Sequence, residues 1–271
     1  MILIAIITAT LAAGIGSVWL AAGLLNTGLG TRPDGVGTRH LLSLAAGALL
    51  ATAFMHLLPE AFESGVEAHT LSMTLLAGLV FFFLLDKAEL WHHGHEHHHE
   101  AAGHAHGHAH DHGHAPRRHG GGWAVLMGDG VHCFGDGVLI ASAFMAGLHL
   151  GVAAALAVLV HEVPHHIGDL AVLRSGSGGN WRAALVKVSL AGALTVLGGL
   201  VGYLLVGQLG GWLPYLLVLA ASSFVYVALA DLIPQLQKHL DAGDTAAQIL
   251  WLAGGIALVV LVGALGPAHS H

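Results

Sequence analysis

The sequence predicts an all-α integral membrane protein: eight transmembrane helices in a 3+2+3 arrangement with inverted repeats, both termini extracytoplasmic. Three observations carry this expectation. The 271 residues are 55% hydrophobic and only 9% charged, far below the roughly one quarter charged residues of a soluble domain. The apolar residues fall into stretches of about 20, enough to cross a bilayer as a helix. All nine Lys and Arg residues fall on one side of an eight-span topology, which places that side in the cytoplasm.

The spans are read in order at about 2–25, 40–59, 70–91, 122–147, 149–173, 183–207, 212–236 and 246–265. The first, MILIAIITATLAAGIGSVWL, lacks the basic start of a signal peptide and stays apolar long enough to span, so it is expected as a retained helix. Turn chemistry separates the others: NTGLGTRPDG, RSGSGGN, GQLGG and DAGD. The fourth and fifth spans nearly touch at Gly147-Leu148 and should form a tight hairpin. The fourth is the least apolar, because it holds Asp129, His132 and Asp136. The inverted repeats are read from the second span ending HLLPEAFE and the seventh ending DLIPQLQK. In each a polar residue stands three positions before a proline, in helices that run in opposite directions, a pattern of transporter architecture.

Between spans three and four lies WHHGHEHHHEAAGHAHGHAHDHGHAPRRHGGG, with thirteen histidines from His92 to His119. Such a composition cannot bury a core and is expected to be a disordered cytoplasmic loop that collects metal. The chain thus divides into 1–91 (helices one to three), 92–121 (the loop), 122–173 (helices four and five) and 174–271 (helices six to eight).

Helices four and five carry polar residues where lipid-embedded helices rarely do. In MGDGVHCFGDGVLIASAF, Asp129, His132, Cys133 and Asp136 share one helical face. In LVHEVPHHIGDLAVL, His161, His165 and Asp169 share another, with Glu162 beside them and His166 one step round. The hairpin should bring both sets to similar depth. Intramembrane charges pair, line water or serve function, and imidazole with carboxylate suits zinc and its first-row neighbours. Pro164 cannot donate to the helical ladder and should open the fifth helix beside these groups. Gly130, Gly135, Gly137 and Gly168 should permit close helix approach. A purely structural polar cluster fits one intramembrane histidine better than two opposed helices of donors.

GDGVHCFGDG and HEVPHHIGDLAVL resemble the signature helices of the ZIP (Zrt/Irt-like protein) divalent metal transporters, and HLLPEA and FVYVALADLIPQ are similar to family patterns. The resemblance covers all eight spans, the outside termini and the His-rich third loop. It implies a metal site of His132, Asp136, His161, Glu162 and His165, and Zn2+ or a related divalent ion as transported substrate. Two positions depart from the family pattern: Cys133 stands for the usual Asn, and His166 for a second Glu. Some members hold two metals between bridging carboxylates. His165 occupies one bridging position with a single lone pair to give, which argues for one metal, although a Cys133 thiolate could assist a soft ion. Asp129, His166 and Asp169 are expected to orient ligands or accept protons. His56, Glu60 and Asp231 could mark the path in and out, on the symmetry argument.

Three other readings are weaker. H161-E-V-P-H165 read as an intramembrane metalloprotease would make Glu162 a general base, but Pro164 disturbs the motif and the opposite helix crowds the open position a catalytic metal needs. A membrane metal sensor or storage protein would not need eight spans. An exporter would share a His-rich loop, but not the outside termini and signature helices. The expected protein is therefore not an enzyme. It has no organic cofactor, and its partners are divalent metal ions and the lipid bilayer. A homodimer is compatible with this reading; nucleic acid is not, since basic residues are few and scattered. A prokaryotic cytoplasmic (inner) membrane is the expected location.

Overall fold

The computed structural model describes residues 1–27, 36–94, 121–176, 180–236 and 242–264. Among them every regular element is helical. Helix α1 (Ile2–Asn26) contains a π-turn at Ala12–Gly16. Helix α2 is built from Val36–Thr52, a second π-turn at Ala53–Leu57, and Leu58–Glu63. Then follow α3 (Ala68–Gly94), α4 (Gly121–Ala146), α5 (Leu148–Gly176), α6 (Trp181–Gln208), α7 (Leu213–Leu236) and α8 (Ala242–Ala264). Each expected span has its helix, and most run a few residues past the apolar stretch. The tract's first histidines continue α3 to Gly94; the rest of the tract lies outside the described residues. Among the described residues seven helices are long and apolar enough to cross a membrane, and α4 is the exception. Its intramembrane acids and histidine depress its hydropathy, as the sequence anticipates.

Position in the bundle sorts the helices. In the spanning part of α5, 67% of residues are buried, against 11% in α3 and 17% in α8. Helix α5 is therefore an inner element, packed against α1, α2 and α4. Helices α3 and α8 are peripheral, α3 against α7 and α8 against α2. Helix α4 ends at Ala146 and α5 begins at Leu148; Gly147 alone makes the turn, its N–H donating to the Ala143 carbonyl at 3.0 Å.

The π-turn in α2 ends directly before Leu58-Pro59, with the Leu58 N–H reaching back to Ala53. A proline cannot donate to its i−4 carbonyl and its ring clashes there; the wider turn relieves that clash. Pro164 behaves differently. Helix α5 runs through it without a change of helix type, so the expected opening of the fifth helix is absent. A single missing ladder bond is tolerated where neighbouring helices surround the backbone.

Small residues set the distances between helices, since burial against lipid-like neighbours gives little hydrophobic driving force. A Cβ on Gly137 of α4 would overlap the Thr195 carbonyl, and one on Gly198 of α6 would overlap Phe134. Gly14 of α1 meets Gly192 of α6 in the same way. Of the four glycines expected to matter, Gly137 makes a backbone contact and Gly130 meets only a Leu194 methyl. Gly135 and Gly168 face open space. The tight partner is α6, not α5. Gly198→Leu should therefore cost at least about 1–3 kcal/mol through overpacking and lower the thermal midpoint in detergent. Gly207→Leu, with nothing near its Cβ position, should leave the midpoint unchanged.

Two apolar clusters flank the polar residues. One holds Ile6, Leu49, Ile140, Leu150, Val158 and Phe224; the other holds Val18, Val163, Ile167, Leu170 and Val188. Along α5, Val158 belongs to the first and Val163 to the second, so His161 and Glu162 lie in a polar layer between them.

Candidate metal centre

Helical spacing on α4 presents Asp129, His132, Cys133 and Asp136 toward α5, and the one-residue turn fixes the register of the two helices. Four side chains converge first. His132 Nε2 stands 3.3 Å from His161 Nε2, 3.4 Å from Glu162 Oε1 and 3.8 Å from Asp136 Oδ2. His161 Nε2 stands 3.3 Å from Asp136 Oδ2 and 3.5 Å from Glu162 Oε1. Metal–ligand bonds of about 2.0–2.1 Å in a tetrahedron separate the ligands by about 3.3 Å. Five of the six edges of such a tetrahedron are thus present, at 3.3 to 3.8 Å.

The protons point the same way. His161 Nδ1 lies 3.3 Å from the Ala157 carbonyl, which can only accept, so the ring donates there. Its Nε2 then carries a lone pair toward the group. Asp136, His161 and Glu162 are 1–2% exposed. Asp136 Oδ2 and Glu162 Oε1 are buried without a hydrogen-bond partner. Leaving such atoms unsatisfied costs about 1–3 kcal/mol each, more when charged, and a cation among them removes that cost. His132, at 30% side-chain exposure, is the most open of the four.

A second group forms on the other side of Glu162. Its Oε2 is 3.1 Å from His166 Nε2 and 4.0 Å from Cys133 Sγ. Asp129 Oδ1 is 3.7 Å from Cys133 Sγ and 3.9 Å from His166 Nε2. The two oxygens of one carboxylate therefore serve two donor sets, His132/Asp136/His161 and Asp129/Cys133/His166.

The other expected residues stand apart. The His165 ring is 5.8 Å, centroid to centroid, from both His132 and His161, beside the first group but outside its converging atoms. Glu162, not His165, occupies the shared position. Asp169 is half-buried, near enough to Asp129 for their charges to interact. His56 lies in the π-turn of α2 against Gly263 of α8, and neither it nor Glu60 reaches either donor group. The Asp231 backbone belongs to α7; its side chain lies outside the described residues. Sequence reasoning missed Ser17, whose hydroxyl meets His166. The available signal was one serine flanked by glycine within an apolar first helix.

Comparison with known proteins identifies the family. The family model described as ZIP Zinc transporter matches residues 1–120 and 86–263. The chain is 34% identical over 141 residues to "Zinc transporter foi" of Drosophila melanogaster, covering 52% of this chain and 20% of that protein. It is 28% identical over 245 residues to "Zinc transporter ZIP13" of Pongo abelii, covering 82% and 66%. It is 35% identical over 150 residues to "Zinc transporter ZIP10" of Homo sapiens, covering 52% and 18%. The chain thus matches about a fifth of the length of foi and ZIP10, and about two thirds of ZIP13. With buried helices, a His/Asp/Glu cluster and a family match over most of its length, the chain belongs to the ZIP zinc transporter family.

Proposed function

We propose that this protein carries Zn2+, or a closely related divalent ion, across the membrane into the cytoplasm by alternating access. The cargo binds at His132, Asp136, His161 and Glu162, and His165 joins them by a side-chain rotation. The tetrahedral spacing of the first group carries this reading. The one-sided distribution of Lys and Arg supports outside termini and a cytoplasmic His tract. Packing supports the 3+2+3 repeat. A two-fold exchanging helices one to three with six to eight, and four with five, turns the α2–α8 contact into α7–α3 and the α4–α6 contact into α5–α1. All four contacts are present. Helices α4 and α5 then form the central pair, with the cargo between two apolar clusters that block the path on either side until the repeats rock.

The test is radiozinc uptake into proteoliposomes, with Cd2+, Fe2+, Mn2+, Co2+ and Ni2+ as competitors. Uptake should saturate, and His161→Ala and Asp136→Ala should each abolish it while the protein still inserts. Unchanged uptake in both variants would sink the site; no metal flux at all would favour a sensor or store. Ligands bind metal deprotonated, so protons compete with the cargo. Between about pH 7 and pH 5, where histidine gains its proton, uptake at subsaturating zinc should fall about tenfold.

A further inference from the structure

The first turns of α2 and α8 form a polar seam away from the metal centre. On α8, Asp244, Gln248 and Trp251 stand at i, i+4 and i+7, which is one helical face. Asp244 Oδ2 lies 4.0 Å from Nη1 of Arg39 on α2. Trp251 stacks on His40 of α2, with ring centroids 5.6 Å apart and planes at 12°. One turn further, Gly255 meets the Leu44 carbonyl, so this face of α8 runs along α2. Gln248 lies between those contacts and is 8% exposed, with Nε2 buried and without a hydrogen-bond partner. Arg39 Nε is buried without a partner as well. A buried N–H that lacks an acceptor is costly. Two such donors in one seam call for acceptor oxygens.

A membrane lipid presents such oxygens at this level. Arg39 stands just past Gly37, where the span of α2 begins, and Asp244 just past Ala242, where that of α8 begins. Both charged side chains are thus at headgroup depth, and both are reachable, at 20% and 42% exposure. Gln248 lies about 6 Å deeper than Asp244 at 1.5 Å per residue, the level of the glycerol esters beneath a lipid phosphate. The outer side of α8 is apolar and open, with Ile249, Leu250 and Trp251 exposed, and tryptophan is enriched at this interface. The 4.0 Å between Arg39 and Asp244 exceeds the roughly 2.7–2.9 Å of a charge-assisted hydrogen bond. A cation and an anion side by side but not bonded complement a zwitterion better than they complement an anion.

We infer that the α2–α8 seam binds a phosphatidylethanolamine molecule. Its phosphate accepts from Arg39, in the bidentate manner of arginine–phosphate pairs, and its ammonium donates to Asp244. An ester carbonyl accepts from Gln248 Nε2, and the acyl chains lie along Ile249 and Leu250. The headgroup has to be a primary amine. A choline headgroup has no N–H to give Asp244, and a glycerol headgroup sets the phosphate near that carboxylate without a cation between them. The leaflet follows the orientation proposed from Lys and Arg; the site itself rests neither on that orientation nor on transport.

Native mass spectrometry of the full-length chain, titrated in detergent with dioleoyl lipids, tests this. Phosphatidylethanolamine should bind at least about tenfold tighter than phosphatidylcholine or phosphatidylglycerol. Stepwise N-methylation of the ethanolamine removes its N–H donors one at a time, and affinity for the wild-type chain should fall at each step. That series needs no variant. Asp244→Asn should abolish the preference for ethanolamine over glycerol, since it removes the group that attracts one headgroup and repels the other. Arg39→Gln should weaken all three lipids, because each carries the phosphate. Inorganic phosphate at the lipid's concentration should displace none of it. Equal wild-type affinity for the three lipids overturns the site, and so does an Asp244→Asn variant that keeps the wild-type order. Tightest binding of phosphatidylglycerol, or displacement by inorganic phosphate, would make the seam a plain anion site and overturn the zwitterion assignment.

Discussion

Glu162→Ala is expected to cut zinc uptake in proteoliposomes at least about 100-fold, on the scale of the losses expected for His161→Ala and Asp136→Ala. Its two oxygens reach two different donor sets, Oε1 toward His132 and His161 and Oε2 toward His166 and Cys133. Removing a partner that only orients a ligand already costs about 10–100-fold in metal affinity; removing a shared ligand should cost more. The alanine also leaves the buried His161 and His166 with one carboxylate neighbour each, Asp136 at 3.3 Å and Asp129 at 3.9 Å. Glu162→Gln keeps an acceptor oxygen but no charge, so it should fall between the alanine variant and the wild type. The same pair separates transport from the protease reading of H161-E-V-P-H165, in which Glu162 acts on water and its loss leaves the metal bound. Uptake in Glu162→Ala within threefold of wild type would remove this residue from the site.

The second large effect is on stability. At a free Zn2+ concentration about 100 times its dissociation constant, binding to the folded chain alone should add about 2.7 kcal/mol. Asp136→Ala should lose nearly all of that increment. In the metal-free state the order is expected to change. Asp136 is 2% exposed, and its Oδ2 lies buried without a hydrogen-bond partner, a carboxylate that burial penalises unless a cation accompanies it. Removing it should leave the apo protein as stable as wild type, or more so. Thermal denaturation in detergent, with a chelator and then with added zinc, checks both halves. Chelation should bring the wild-type midpoint down to that of the variant. A zinc-dependent rise that survives in Asp136→Ala would locate the stabilising metal elsewhere.

Much of the site was legible because its signals are local. A buried helix four that is too polar for lipid, facing a helix five with the same fault, stands out in one dimension. Residue type and helical spacing picked out the polar faces of the two helices, and the family resemblance narrowed them to His132, Asp136, His161, Glu162 and His165. The same reading overestimated Pro164, since whether a proline opens a helix depends on what surrounds the freed carbonyl. It also expected close approach at Gly135 and Gly168, which face open space. Gly135 and Gly137 look alike in sequence, but only Gly137 meets the backbone of α6. His165 and His166 are neighbours that periodicity barely separates. A rotation of α5 by one residue would exchange their surroundings, and that rotation is set by packing.

The sequence by itself determined the number and length of the helices and the chemistry offered between them, because hydropathy and donor type are properties of residues and their near neighbours. Tertiary structure decided how the donors divide. The one-residue turn at Gly147 sets the register of α4 against α5, and glycine contacts hold α6 and α1 in place around them. Those distances, not residue identities, direct one oxygen of Glu162 to each group and turn Ser17 of the first helix onto His166. Ligand separations near 3.3 Å are met or missed by tenths of an ångström. Only the packed backbone fixes positions that finely.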